Sequence, residues 1–409
     1  MRRSIEKVKI IKISTVPMSL NILLKGQLKF LAQFFNVVGV SSNGADLQTV
    51  ALREGVSTVA VNMERGISPI KDTIALFKLY RQFKTQKPIV VHSLTPKAGL
   101  LAMLAGKMAG VPIRVHTFTG LIFPTRTGSM QKLLIKMDQI LCWAATNIYP
   151  EGNGVKNDLV QYNITQKPLK VLANGNVNGI DTAYFSPDQV TETEKTQLRK
   201  TLNINPHDFI FVFVGRLVGD KGINELVEAF VKLTVSSSGV DNSKIHVSSR
   251  GVESCKLLLV GSLETELDPL GQKTLHEIET NPNIISVGFQ KDVRPYLAIS
   301  HCLAFPSYRE GFPNVVMQAG SMGLPSIVSD INGCNEIIVE GKNGTIILVK
   351  NSDAIEIAMQ KIMEDKEYYQ TLKQNARPMI QSRYEQSVVW NALLEEYQSL
   401  IKNWEQKKK

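Results

Sequence analysis

The chain has only four cysteines in 409 residues, Cys142, Cys255, Cys302 and Cys334. No two are close enough in sequence for a metal-ligand or redox spacing. Such sparse cysteine fits a reduced compartment, not a disulfide-stapled secreted scaffold. Long hydrophobic runs are absent as well. The longest apolar window, Ala98–Val111, is interrupted by Lys107 and is too short to span a bilayer. Lys12 and Pro17 break the apolar stretch that a signal peptide would need, so a cytoplasmic protein is expected. The sequons Asn163-Ile-Thr165 and Asn343-Gly-Thr345 are discounted for the same reason. Neither half opens with Gly-x-Gly-x-x-Gly after its first strand, which disfavours a nicotinamide dinucleotide site. No Asp-x-Asp pair stands at a strand end to hold a metal, so no metal or other cofactor is expected. Beyond charge, nothing marks a nucleic-acid binder.

Apolar residues make up 43% of the chain, enough for two sizeable cores of about 200 residues each. Charge divides unevenly between the halves. Residues 1–186 carry 23 Lys+Arg against 9 Asp+Glu, whereas residues 187–409 carry 24 against 28. A basic front half suits an anionic partner, although a merely solvated basic face reads equally well.

Short β-branched runs alternate with longer amphipathic segments, the pattern of parallel sheets covered by helices on both faces. In the first half, strands are expected at Val8–Ile13, Val37–Ser41, Ser57–Val61, Ile89–Ser93 and Ile113–Phe118, with shorter ones at Asn147–Tyr149 and Lys170–Ala173. Helices are expected at Lys25–Phe35, Ile70–Phe83, Lys97–Met108 and Gln131–Thr146. After a polar linker around Asn174–His207, strands resume at Phe209–Val214, Lys256–Val260, Ile284–Val287, Cys302–Phe305, Ser326–Ser329 and Thr345–Val349. The polar stretch Val235–Ser254 reads as a surface excursion. The expected architecture is α/β, two doubly wound Rossmann-like domains facing a cleft. Residues 1–186 and 187–384 form the domains, and 385–409 a closing helix that packs back towards the first. The Gln406–Lys409 tail is expected to fray.

Two motifs in the second half carry chemistry. Gly215-Arg216 leaves a strand end and Lys221-Gly222 follows it. A planar guanidinium and a compact ammonium beside glycines suit a diphosphate; the bland alternative is two surface cations at a turn. The second motif, Ser307-Tyr308-Arg309-Glu310-Gly311-Phe312-Pro313-Asn314, follows the strand Cys302–Phe305. Gly311 permits an open loop and Pro313 suits the first turn of a helix. The N–H groups of the Gly311–Asn314 stretch and the helix dipole then favour an anion. Glu310 stands at the rim, able to accept hydrogen bonds from sugar hydroxyls, and Gln318 comes two turns later, within reach of a ribose diol.

Together with Val287-Gly288-Phe289 and Gly333–Gly344, these motifs resemble the donor-binding domain of glycosyltransferase family 4, over most of residues 205–350. The resemblance implies a GT-B fold, with Arg216 and Lys221 on the donor diphosphate. It implies Glu310 on the donor sugar and Gln318 on the ribose, where the family pattern has glutamate. Gly215, Gly311, Phe312, Pro313 and Asn314 complete the donor site. In the first half, Leu23-Leu24-Lys25-Gly26-Gln27-Leu28 replaces a glycine-rich loop. Gly26 there is expected near the donor phosphate, and Lys25 near it or the acceptor. His116 or Thr119, at the end of a strand, faces the donor sugar.

The implied activity is a retaining transfer from a nucleotide sugar, UDP-linked by preference, to a hydroxyl of a polyprenyl-diphosphate-linked or polysaccharide acceptor. Relatives that build bacterial surface polysaccharides look alike. In the stretch 131–146, Lys132 and Lys136 flank Leu133, Leu134, Ile135, Ile140 and Trp143. Such a segment suits contact with an anionic membrane, or equally a core-facing helix with solvated lysines. His92 and His301 read as packing residues. A nucleotide-sugar epimerase or a non-catalytic sugar-nucleotide binder are the competing readings.

Overall fold

The computed structural model describes residues 7–64, 66–238, 254–266 and 268–408. It contains two six-stranded parallel sheets. Strands β1 (Lys9–Ile13), β2 (Asn36–Ser41), β3 (Ser57–Ala60), β4 (Val90–Ser93), β5 (Ile113–Phe118) and β6 (Asn147–Pro150) run in the order β3-β2-β1-β4-β5-β6. The second sheet comprises β7 (Phe209–Val214), β8 (Cys255–Val260), β9 (Ile284–Ser286), β10 (Cys302–Phe305), β11 (Ser326–Ser329) and β12 (Gly344–Ile347). Its order is β12-β11-β10-β7-β8-β9, so each sheet is wound outward in both directions from its first strand. Parallel strands buried on both faces need continuous apolar runs. Phe209–Phe213 and Leu257–Val260 supply them, buried almost completely.

Several expectations need correction. Lys170–Ala173 forms no strand; only Leu169 makes a single bridge, to Ile148. An unexpected helix, Pro17–Leu23, precedes a short one at Gln27–Ala32, with Gly26 breaking the two apart at φ +82°. The final helix runs Gln386–Lys408, and the last residue of the Gln406–Lys409 tail lies outside the described residues. The proposed excursion at Val235–Ser254 lies mostly outside the described residues: a helix continues to Ser238 and the description resumes at Ser254. Among the described residues no helix is long and apolar enough to cross a membrane.

The chain divides into two compact units, Met1–Gly179 with Gln386–Lys409, and Ile180–Glu385. The second is built on one large core around β7, β8 and β10. In the first, side chains alternate across the sheet. Ile11 and Ile13 face a core with the helices Pro69–Gln86 and Pro96–Ala109. Ile10 faces a second core that the final helix completes with Leu393, Tyr397 and Ile401. The last segment thus belongs to the first unit: it shares the cover of that face with the helices that carry Leu20, Leu28 and Leu47.

Lys12 projects into this second face and is fully buried. Its ammonium lies 3.2 Å from His92 Nδ1 and 3.4 Å from the Tyr397 hydroxyl, with no ion-pair partner among the described residues. His92 bonds Thr117 Oγ1 through its other nitrogen at 2.8 Å, so it is a network histidine rather than simple packing. Burial pulls the Lys12 amine down to about 7 and, with the Lys12 charge, keeps His92 well below its usual range.

Below pH 7 this lysine is charged in both folded and unfolded chains, and the full burial cost falls on the folded state. Between about pH 7 and 10.5 the unfolded chain binds more protons, so stability rises with pH. Lys12→Met therefore stabilises the protein at about pH 6–7, by on the order of a few kcal/mol. That gain should shrink towards about pH 10 in parallel denaturation series. A gain that does not change with pH would show that the lysine charge is not what costs stability.

Candidate functional site

In a parallel doubly wound sheet the side chains available to a ligand sit beyond the carboxyl ends of the strands. In the second unit, three neighbouring strands, β10, β7 and β8, send out the loops that carry the candidate residues. The β7 loop passes through Gly215 and the exposed Arg216 to a tight turn, Gly219–Lys221. The β10 loop runs from Ser307 to Pro313, before the helix Asn314–Ser321.

Several contacts bind these two loops together. The Tyr308 N–H donates to the Asp220 carbonyl at 2.9 Å, and Arg309 pairs with the Asp220 carboxylate at 3.0 Å. The Tyr308 hydroxyl donates to Glu225 at 2.6 Å. Lys221 pairs directly with Glu310, both side chains only 17% exposed, and Ser307 Oγ donates to the same carboxylate at 2.9 Å. Burial and the Glu225 carboxylate push the Tyr308 hydroxyl up from its ordinary value, so it stays a protonated donor.

Lys221 and Glu310, separated by 89 positions in sequence, are therefore brought together. Beyond Glu310, the N–H groups of Gly311 and Phe312 have no acceptor among the described residues. Two uncommitted donors ahead of a helix start form an anion-receiving corner. The Phe312 side chain does not take part: it is buried against Tyr384, with ring centroids 5.5 Å apart. Pro313 sits at the N-cap rather than inside the first turn and has no N–H to offer. Asn314 opens the helix, and Gln318 follows on it, half-buried.

Arg216 is engaged by a residue that the motifs did not single out. Its Nη1 lies 2.9 Å from Glu264 on the loop after β8. An acidic residue just past a strand end, in Gly261-Ser262-Leu263-Glu264, was the available signal. It goes unnoticed because only the order of the strands puts that loop beside Arg216.

In the first unit two expectations fail. Gly26 is not open to a phosphate. Its N–H donates to Glu54 at 3.0 Å, and the Lys29 N–H to the other oxygen of that carboxylate at 3.1 Å. Glu54, 2% exposed and paired with Arg53 at 2.6 Å, already fills the helix start. A Cβ on Gly26 would stand 2.7 Å from the Trp390 ring, so that side is covered too. Lys25 is exposed, and its carbonyl is held by Asn178 at 3.0 Å.

His116 is wholly buried. Its Nδ1 lies 2.8 Å from Ser93 Oγ, its ring packs edge-on against Phe118, and a Cβ on Gly99 would fall 2.5 Å from it. Burial holds its pKa at about 3, so it is a neutral residue enclosed in the core. Thr119, just past the strand end, is half-buried with its hydroxyl on the Leu94 carbonyl at 3.1 Å.

The loops after β4 and β5 open instead onto an apolar groove. Leu100, Phe118, Leu121, Leu134 and Met137 line it, with the Asp138 carboxyl among them. Burial raises that carboxyl to about 7. On the helix Gly128–Ala144, Lys132 and Lys136 accompany the exposed Leu133 and Ile140.

Residues 194–379 match the family model described as glycosyl transferases group 1, and residues 12–151 that described as glycosyl transferase 4-like. The chain is 30% identical over 401 residues to CapM, a capsular polysaccharide biosynthesis glycosyltransferase of Staphylococcus aureus, covering 98% of this chain and 99% of that one. It is 27% identical to the UDP-Gal:alpha-D-GlcNAc-diphosphoundecaprenol alpha-1,3-galactosyltransferase of Escherichia coli, covering 74% and 73%. Among solved structures, HepE of Anabaena in complex with UDP-glucose superposes with a TM-score of 0.75 at 16% identity, over 96% and 99% of the two chains. That last likeness is one of fold.

The anion-receiving corner depends on Gly333, which has φ +76°. A Cβ there would lie 2.5 Å from the Gly311 carbonyl and 2.7 Å from Phe312 Cα. Gly323 has a similar φ of +81° but open space around it. Gly333→Ala should cost about 2–3 kcal/mol and weaken nucleotide-sugar binding, while Gly323→Ala costs about 1 kcal/mol and leaves binding alone. Denaturant midpoints and calorimetry of both variants check this. Equal behaviour would mean that the Gly311 loop is not held by this contact.

Proposed function

The chain belongs to the group 1, family 4-like glycosyltransferases of GT-B fold, a family of capsule and lipid-linked polysaccharide biosynthesis, and from that premise we propose its reaction. It moves a hexosyl or N-acetylhexosaminyl group from a UDP-sugar to a hydroxyl of a polyprenyl-diphosphate-linked acceptor, with retention at the anomeric carbon. The observation that carries this reading is the cluster of Lys221, Glu310 and Ser307 beside the uncommitted N–H groups of Gly311 and Phe312.

As the bond to phosphate breaks, negative charge gathers on the leaving diphosphate. Arg216, Lys221 and the two N–H groups stabilise it, and such preorganised charge is usually the largest catalytic contribution. These cations do the work that a divalent metal would otherwise do, so the reaction runs in the presence of EDTA. Glu310 accepts hydrogen bonds from the donor sugar, and Gln318 reaches the ribose. Departure and attack share one face, and the leaving phosphate takes the acceptor proton.

Names of relatives support the acceptor class: one acts on a diphosphoundecaprenol-linked sugar, as does an N-acetylgalactosaminyltransferase of Campylobacter jejuni, 23% identical. The apolar groove with Asp138 suits that acceptor, with Lys25 reaching its phosphates. Lys132 and Lys136 suit the anionic inner face of the cell membrane, against which a cytoplasmic enzyme works.

Thermal-shift and calorimetric screening of nucleotide sugars tests the donor half. UDP-sugars should stabilise the protein, and Arg216→Ala should abolish most of the shift. Lys221→Ala should lower kcat/KM by about a hundredfold. Stabilisation that survives Arg216→Ala would remove the diphosphate role. For the acceptor half, flotation with anionic liposomes should retain the protein, and Lys132→Glu with Lys136→Glu should release it. Failure of the wild type to float would count against membrane contact.

A further inference from the structure

The two cations assigned to the diphosphate are not idle in the empty protein. Lys221 is paired with Glu310 and Arg216 with Glu264. Glu310 has a further task, on the donor sugar. Glu264 has none, and it lies on a segment fastened along the Arg216 turn. The Leu217 N–H donates to the Ser262 carbonyl at 2.8 Å, and Leu217 bridges Leu263. The Gly219 N–H donates to the Asp268 carbonyl at 3.0 Å, and the Asp220 N–H to the Asp268 carboxylate. These bonds hold the backbone on both sides of Glu264 beside the Arg216 turn.

An incoming diphosphate must then take Arg216 from Glu264. With side chains 50% and 33% exposed, the pair can open without moving the segment. Once displaced, the carboxylate remains close to a ligand of like charge. We infer that Glu264 is the resting counter-ion of Arg216, exchanged for the diphosphate on binding, and that it weakens the hold on nucleoside diphosphates, the leaving product included. It is a positioning residue acting through Arg216, and the inference rests on the donor site proposed above.

Exposed pairs are weak, so the effect is a few-fold rather than large. Calorimetry with UDP, on wild type, Glu264→Gln, Arg216→Ala and the double variant, provides the test. Glu264→Gln should tighten UDP about three- to fivefold at low salt, with the gain narrowing as salt screens the pair. Product inhibition by UDP should strengthen in parallel. In the Arg216→Ala background the same change should tighten UDP much less.

Glu266→Gln removes the same charge from the same segment, and Glu266 has no ion pair among the described residues; it should leave UDP affinity within about a factor of two. The inference is overturned by unchanged or weaker binding in Glu264→Gln, by an equal gain without Arg216, or by an equal gain in Glu266→Gln. A wild type that takes up neither UDP nor GDP would instead overturn the donor site itself, and this inference with it. Tightened binding cannot come from structural damage, which keeps the outcome readable.

Discussion

The Lys221–Glu310 ion pair joins two loops that leave different strands, and the rest of the donor corner follows from it. At 17% exposure each partner is partly stripped of water, and a charge so placed needs its opposite close by. Meeting that need brings the β10 loop over the Gly219–Lys221 turn. Tyr308, Arg309 and Ser307 then find their own partners on Asp220, Glu225 and Glu310. Phe312 anchors the far end of the loop in the core against Tyr384. Between these fixed ends the Gly311 and Phe312 N–H groups are left pointing at no acceptor among the described residues.

The same compensation of charge recurs wherever the sequence offers a place for a phosphate. Glu264 faces Arg216, and Glu54 occupies the start of the helix after Gly26. The two differ in burial, and that difference separates their roles. Glu54 is sealed at 2% exposure between Arg53 and two backbone donors, so it is a permanent part of the fold. The Arg216 and Glu264 side chains are open to water, where one anion can replace another at small cost.

Belonging to the family makes glycosyl transfer the activity of this chain, and the residues proposed for the donor all lie on one unit. In the first unit the N–H groups at Gly26 and Lys29 are taken by Glu54, and Trp390 packs beside Gly26. What that unit presents instead is an apolar groove at the carboxyl ends of β4 and β5, and lysines beside exposed leucine and isoleucine on one helix.

The sequence by itself determined the two parallel sheets, because runs such as Phe209–Val214 and Cys302–Phe305 are apolar on both faces and only a doubly covered sheet buries both. It also marked the candidate donor motifs: Arg216, Lys221 and Glu310 lie on loops just past strand ends and Gln318 on the helix that follows, and local spacing is enough to place them there. Contacts across long sequence separations were beyond it. Nothing local marks Glu264 as the partner of Arg216, Glu54 as the occupant of the Gly26 helix start, or Tyr397 as the neighbour of Lys12. His116 shows the same limit from the other side, since a histidine at a strand end reads as a site residue until the helix carrying Gly99 closes over it. Those pairings depend on strand order and helix docking, which only the tertiary structure decides.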